Sequence, residues 1–385
     1  MNDLQDETPE AVMDAAIARH DLVGAVVCVA QDGQQVWQRS VGLADRDNAR
    51  PMQEDTIFLL ASVTKPVVAA AAMKLVEQNL LHLEDPVSRW LPSFRPELRD
   101  GSAPEITVRH LLTHMSGLSY RFSESLHSPY HALNVSDGLD QPGLSLEENL
   151  SRLVQAPLRF VPGTRWRYSL AMDVLGGVMS AATGEKLPKL VEDIILSPLN
   201  MIDTGFSVVD HKRLAVPYAG DGRNLVKISD GMTVTMGAEK VIFAPSRLDN
   251  SASYPSGGAG MAGTAGDILR FLEAIRLFGR GILSKDTVAA MVAEQVPAGT
   301  RGLSAGKAFG YGWGIISDPE AAISPLSPGS LQWGGVYGHN WFIDPLRKLS
   351  CVILTNTTPE GMSGRFVQDM QKAICRSFEV PQDEF

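Results

Sequence analysis

The stretch Phe58-Leu59-Leu60-Ala61-Ser62-Val63-Thr64-Lys65-Pro66, continued as VVAAAAMKLVEQ to residue 78, decides how the chain is read. It predicts a helix over about 62–78, apolar through its middle and hence buried. Pro66 fits, because first-turn N–H groups have no helical partner. Ser62 and Lys65 fall one turn apart and share a face. The free N–H groups and partial positive field of a helix start favour a neutral amine and a developing oxyanion. A buried, partly desolvated amine is the kind of base a serine hydroxyl needs. The plainer alternative is a serine N-cap followed by a solvated lysine, and spacing alone leaves both open.

Outward from this helix, strand patterns lie toward both ends. Thr8 to Ala18 reads as a helix with Thr8 as N-cap and Pro9 at its first position. GAVVCVA (24–30) and QVWQRSVGLA (35–44) flank Asp32-Gly33, which predicts a hairpin. YGHNWFIDP (337–345) and SCVILTN (350–356) predict a second one. Helices are expected over 265–278, with Thr264 and Asp267 as a capping-box variant, and over 363–376. Between 96 and 235 Pro, Gly, Ser and His become frequent among short helical patterns. The expected fold class is α/β of the α+β type: one antiparallel sheet built from both termini, flanked by helices, with an inserted mostly helical domain. The expected division is 1–95 plus 236–385 for the sheet and 96–235 for the insertion, with the site in the cleft between them.

The chain has 385 residues, 44% apolar and 20% charged, which excludes disordered, collagen-like and coiled-coil classes. Its net charge of −10 disfavours nucleic acid and anionic membrane as partners. No apolar run approaches a membrane span, and the acidic N-terminus MNDLQDETPEAVMDAA shows no signal peptide. Cys28, Cys351 and Cys375 form no CxxC pair and read as buried thiols of a reducing compartment, so the expected location is the cytoplasm.

Several motifs compete. S-x-x-K recurs at Ser304–Lys307, and 31 serines and 11 lysines in 385 residues make about one match expected by chance. Gly302-Leu303-Ser304-Ala305-Gly306 has the form G-x-S-x-G but lacks the strand before and helix after that a nucleophile elbow needs. Gly258-Ala259-Gly260-Met261-Ala262-Gly263 has the form G-x-G-x-x-G, yet no apolar strand precedes it and no acid stands in 276–282. It reads as backbone approaching closely beside a cleft. His110 and His114 are four apart, without HExxH or a third ligand. They read as packed histidines on a helix ending at Ser116-Gly117, and no metal or cofactor is expected.

FLLASVTKP, VRHLLTHMSGLSYRF (108–122), PGTRWRYSLAMDVLG (162–176), GGAGMAGTAGDILRF (257–271) and WGGVYGHNWFIDP (333–345) together resemble the serine β-lactamase/penicillin-binding-protein-like superfamily. The likeness is strongest to its family VIII carboxylesterases. The resemblance implies a β-lactamase-like fold with Ser62 as nucleophile and Lys65 and Tyr168 as the proton-handling pair. Tyr168 would be the base toward Ser62 and the acid toward the leaving alkoxide. A phenol does this as its anion, which an adjacent ammonium stabilises. The oxyanion would sit between the N–H groups of Ser62 and a residue of Trp333–Tyr337, within which Gly335 and Val336 lie and Val336 is chosen. Tyr120 would match a pocket tyrosine. Trp333, Tyr120, Tyr337 and Trp341 would form an aromatic wall, although core packing serves Trp341 and Trp313 equally well. His339 would orient neighbours.

Two departures from the β-lactamase pattern bear on substrate. Trp333-Gly334-Gly335 replaces Lys-Thr-Gly, which removes a cation, and Leu170 replaces the Asn of Tyr-x-Asn. Both favour neutral, apolar esters over anionic lactams. The expected activity is a serine carboxylesterase for small to medium-chain acyl esters, a small-molecule partner. The rivals are a β-lactamase, D-amino-acid amidase or acyltransferase on the same scaffold, and a catalytically silent binding protein.

Overall fold

A computed structural model describes residues 8–220 and 224–378, so the reading of the first seven residues lies outside it. Helix α1, Pro9–Ala18, starts where Thr8 Oγ1 accepts the Ala11 N–H at 3.3 Å. Strands β1 (Gly24–Gln31) and β2 (Gln34–Asp45) are joined through Asp32 at φ 51° and Gly33 at φ 87°. Those left-handed angles belong to the two-residue turn whose twist suits a hairpin, and Asp-Gly adopts it readily. Strand β3 is Arg50–Pro51, and the C-terminal part adds β4 (Lys307–Phe309), β5 (Gly314–Ile316), β6 (Ser330–Gly335), β7 (His339–Asp344) and β8 (Leu349–Thr355). They form one eight-stranded sheet in the order β4-β5-β6-β7-β8-β1-β2-β3, with every neighbouring pair antiparallel. Joining β8 to β1 is what brings the two ends of the chain together.

Both faces of the central strands are covered. Ala25, Val27 and Val29 of β1 and Ile353 of β8 pack against α1 and helix α5, Arg365–Ser377. Val26, Cys28, Val352 and Leu354 face the opposite way, into a core shared with the buried helix α2 (Thr64–Glu77), α3 (Ala171–Thr183) and α4 (Ala265–Arg276). Two buried faces explain why these strands read as continuous apolar runs rather than alternating ones. All three cysteines are free and buried, and burial pushes the Cys28 thiol up to about 12 and Cys375 to about 11. Among the described residues no helix is long and apolar enough to cross a membrane.

Between the sheet segments lie the short helices Val108–Leu112, Pro129–Ala132, Leu146–Leu153 and Leu187–Val191 together with α3. A separate hairpin, Met232–Met236 with Glu239–Phe243, runs across the expected boundary at 235/236.

Local details depart from expectation for physical reasons. Residues Ala61–Val63 form a tight 3-10 turn before α2, entered through Ala61 at φ 46°. The helix bearing His110 stops at Leu112, not at Ser116-Gly117, because the chain turns left-handed at His114, φ 55°. Thr264 caps α4, but the Asp267 carboxylate does not return to the cap. It accepts from the Thr204 hydroxyl and the Asp203 N–H, each at 2.9 Å.

Phe366 of α5 is fully buried against the sheet. Phe366→Ala should lower the unfolding free energy by about 3–5 kcal/mol, seen as a lower urea midpoint at unchanged slope.

Candidate active site

The site begins where Phe58–Leu59 pairs antiparallel with Ala262–Gly263, after which the left-handed Ala61 swings Ser62 to the start of α2. Lys65 follows in the first helical turn and is 2% exposed. Its Nζ donates to Ser62 Oγ at 3.1 Å and to the Gly258 carbonyl at 2.7 Å. Tyr168 Oη donates to the same Ser62 Oγ at 2.7 Å. The Lys65 nitrogen also stands 4.6 Å from the Tyr168 ring centroid, and Trp333 Nε1 donates to Tyr168 Oη at 3.4 Å. Ser62, Lys65, Tyr168 and Trp333 are thus drawn together from three distant parts of the chain. A hydroxyl held between an amine and a phenol is poised for proton transfer in either direction.

Strand β6 passes close to the turn that carries Ser62. A Cβ on Gly335 would stand 2.5 Å from the Leu60 carbonyl, so only glycine permits this approach. Val336 lines the cleft. Its carbonyl accepts from Thr358 Oγ1 at 2.6 Å, while its N–H meets no acceptor among the described residues. The Ser62 N–H lies in a first turn, where no helical carbonyl reaches it. His339 donates from Nε2 to the Leu59 carbonyl at 2.8 Å and meets Phe58 edge-on. Burial lowers its pKa to about 4, so a neutral ring ties β7 to the strand before Ser62.

The cleft encloses about 490 Å³. Tyr120 and Trp333 line it as expected; Tyr120 stacks on Phe122 at 4.6 Å, and Tyr168 lies 5.3 Å from Trp333. Burial, and then Tyr168 and Asp173 beside it, hold the Tyr120 phenol well above its ordinary pKa and therefore neutral. The rest of the expected wall is corrected. Trp341 and Trp313 pack on each other in the core, Tyr337 packs on Phe243, and Leu170 is wholly buried rather than adding surface to the cleft. Their places are taken by Phe122, Trp166 and Phe309, and by Met236 and Val241 from the Met232–Phe243 hairpin. Single aromatics in loop-rich sequence carry no pattern that would have singled them out.

One supporting residue did leave a signal. Asp173 is a lone acid in the apolar run LAMDVLGG, and it is buried at the start of α3. Its Oδ1 accepts from Ser256 Oγ at 2.6 Å and from the Gly258 N–H at 3.1 Å. Burial raises its pKa, while those two bonds act the other way. It fixes the peptide whose carbonyl takes the Lys65 amine. Gly258 belongs to the glycine-rich stretch, and a Cβ there would lie 3.1 Å from Tyr120 Oη and 3.4 Å from Lys65 Nζ. The stretch is close-approach backbone, as read from sequence. Ser304 sits exposed on a loop at the rim, and Lys307 opens β4. His110 Nδ1 turns back to accept the Thr107 N–H, whereas His114 lies under Tyr168, so the two histidines share no ligand.

Residues 9–371 match the Beta-lactamase family. The chain is 48% identical over 369 residues to Esterase EstB of Burkholderia gladioli, covering 95% of this chain and 94% of that one. It is 27% identical over 368 residues to lovastatin esterase of Penicillium rubens, covering 87% of this chain and 89% of that one. Among solved structures, EstCE1, described as a hydrolase with promiscuous acyltransferase activity, superposes with a TM-score of 0.92 at 43% identity, over 95% of this chain and 97% of its own. With nearly full-length matches to an esterase in sequence and to a hydrolase in fold, the chain belongs to the Beta-lactamase family and is a serine carboxylesterase within it.

Proposed function

We propose that Ser62 is the nucleophile of this esterase, that Lys65 and Tyr168 handle its proton, and that the preferred substrates are neutral esters of small to medium acyl chains. The observation that carries the reading is the double contact on Ser62 Oγ, 3.1 Å from Lys65 Nζ and 2.7 Å from Tyr168 Oη. In the acylation step Oγ bonds to the ester carbonyl carbon and its proton passes to the Tyr168 oxygen. Tyr168 accepts that proton as a phenolate whose own proton is held on Lys65, and that Lys65 ammonium and the Trp333 N–H stabilise the phenolate beforehand. The carbonyl oxygen takes up the negative charge between the N–H groups of Ser62 and Val336. Collapse breaks the bond to the alkoxide, which takes its proton from Tyr168. Water repeats the cycle on the acyl-enzyme and returns Ser62.

Substrate preference follows from the lining. Phe122, Leu139, Val241 and Phe309 offer apolar contact to an acyl chain, and Trp333 stands where a lactamase carries a cation. Leu170, wholly buried and out of reach of the cleft, contributes nothing to that preference.

Ser62→Ala should abolish hydrolysis of p-nitrophenyl butyrate, whereas Ser304→Ala should leave most of it. Mass spectrometry after an organophosphonate should place the adduct on Ser62, and an adduct on Ser304 overturns the assignment. p-Nitrophenyl acetate or butyrate should exceed nitrocefin in kcat/KM by at least about 100-fold, or ~2.7 kcal/mol of transition-state discrimination. Comparable efficiency on the two would favour a lactamase instead. Tyr168→Phe should lower kcat by at least about 100-fold with little change in KM, because the ring still packs without its proton. Lys65→Ala should cost at least as much, and the double variant far less than the product of the two losses. Retention of more than about a tenth of kcat in Tyr168→Phe would reduce Tyr168 to packing and leave Lys65 as the base.

A further inference from the structure

Tyr168 sits on residues 165–169, which join no helix and no strand. Its phenol must nevertheless be held to within about half an ångström for proton transfer. His114 touches this segment on both sides of Tyr168. Its carbonyl accepts the Arg167 N–H at 3.0 Å, and its ring Nδ1 faces the Ser169 hydroxyl at 3.3 Å. Between those two contacts the imidazole packs against the Tyr168 ring, with centroids 5.0 Å apart and planes 55° apart. Phe309 and Trp166 close the other sides of the imidazole at 5.4 and 6.2 Å.

Two further features set His114 apart from ordinary core packing. Its backbone is left-handed, φ 55°, a conformation that side-chain-bearing residues adopt at a cost and that persists where surroundings over-determine it. That turn is what lets both its carbonyl and its ring address the same short segment. The residue is also 1% exposed, and its Nε2 has no hydrogen-bond partner among the described residues. Burial, together with the Lys65 charge, holds the imidazole pKa well below its ordinary value, so the ring stays neutral beside the lysine.

We infer that His114 is a positioning residue for the reaction, setting the Tyr168 phenol against Ser62 by gripping residues 167 and 169 and backing the ring between them. It touches no reacting atom. The inference rests on the reading of Tyr168 as proton carrier, and Tyr168→Phe alone tests that reading.

The experiment is a double-mutant comparison with p-nitrophenyl butyrate. His114→Asn suits it, because asparagine accepts the left-handed backbone and keeps a short polar group but has no ring. Rates are taken per phosphonate-titrated site, so that only folded enzyme is counted. His114→Asn should lower kcat by at least about 10-fold and move KM by less than about twofold, the pattern of a misplaced proton donor. In a Tyr168→Phe background the same substitution should cost less than about twofold, since no phenol is left to position. If His114→Asn does not accumulate as folded protein, Ser169→Ala removes the hydroxyl that the ring faces. It should lower kcat by at least about threefold in the wild-type background and by less than about 1.5-fold in Tyr168→Phe. A kcat for His114→Asn within twofold of wild type, or an undiminished loss from either substitution in the Tyr168→Phe background, overturns the inference. If Tyr168→Phe by itself keeps more than about a tenth of kcat, the reading of Tyr168 fails first.

Discussion

Everything at the site depends on keeping one lysine nitrogen out of water and aimed at a serine. Withdrawing an ammonium from solvent costs several kcal/mol unless partners replace the lost hydration. Lys65 has those partners. The Gly258 carbonyl accepts from it at 2.7 Å, Ser62 Oγ at 3.1 Å, and the faces of Tyr168 and Tyr120 lie 4.6 and 5.4 Å away. Asp173 adds an opposite charge at a distance and holds the Gly258 peptide in place. A hydroxyl-directed amine of this kind is reachable only if the backbone around it is rigid, and the rest of the fold supplies that rigidity.

The rigidity comes from packing on several sides. Helix α2 runs through the shared core with its middle wholly buried. Phe58–Leu59, just ahead of the Ser62 turn, is paired to Ala262–Gly263, and β6 lies against the same segment through Gly335. The His339 ring ties β7 to the same strand. These contacts hold the Ser62 turn rigidly against β6, and fixed backbone of that kind is a large term in acyl-transfer catalysis.

Selectivity has a different origin. A serine hydroxyl beside an amine does not itself choose among acyl substrates, so the distinction lies in what surrounds it. Trp333 lines the cleft with its indole N–H turned to Tyr168. The hairpin Met232–Phe243 and the aromatics Phe122 and Phe309 complete a wall with more ring than charge. Recognition by such a wall is graded by shape and apolar area rather than by charge.

The local determinants were legible in the sequence. Asp-Gly between two apolar runs, Thr8 ahead of Pro9, and an apolar helix behind Ser62 each act over a few residues, where propensity and periodicity are direct physical signals. The antiparallel sheet from both termini and the pairing of Ser62 with Lys65 followed from these. Tyr168 was named only through a motif, because it meets Ser62 across 106 residues and its own segment has no regular structure. Other features were decided by tertiary packing alone. Leu170 points into the core, Trp341 and Trp313 pack edge-to-face away from the cleft, and Phe122, Trp166 and Phe309 face it. His114 leaves its helix for a left-handed turn. The direction of a side chain in an irregular segment depends on which distant surfaces close around it. That closure is a property of the whole fold and leaves no periodicity to read.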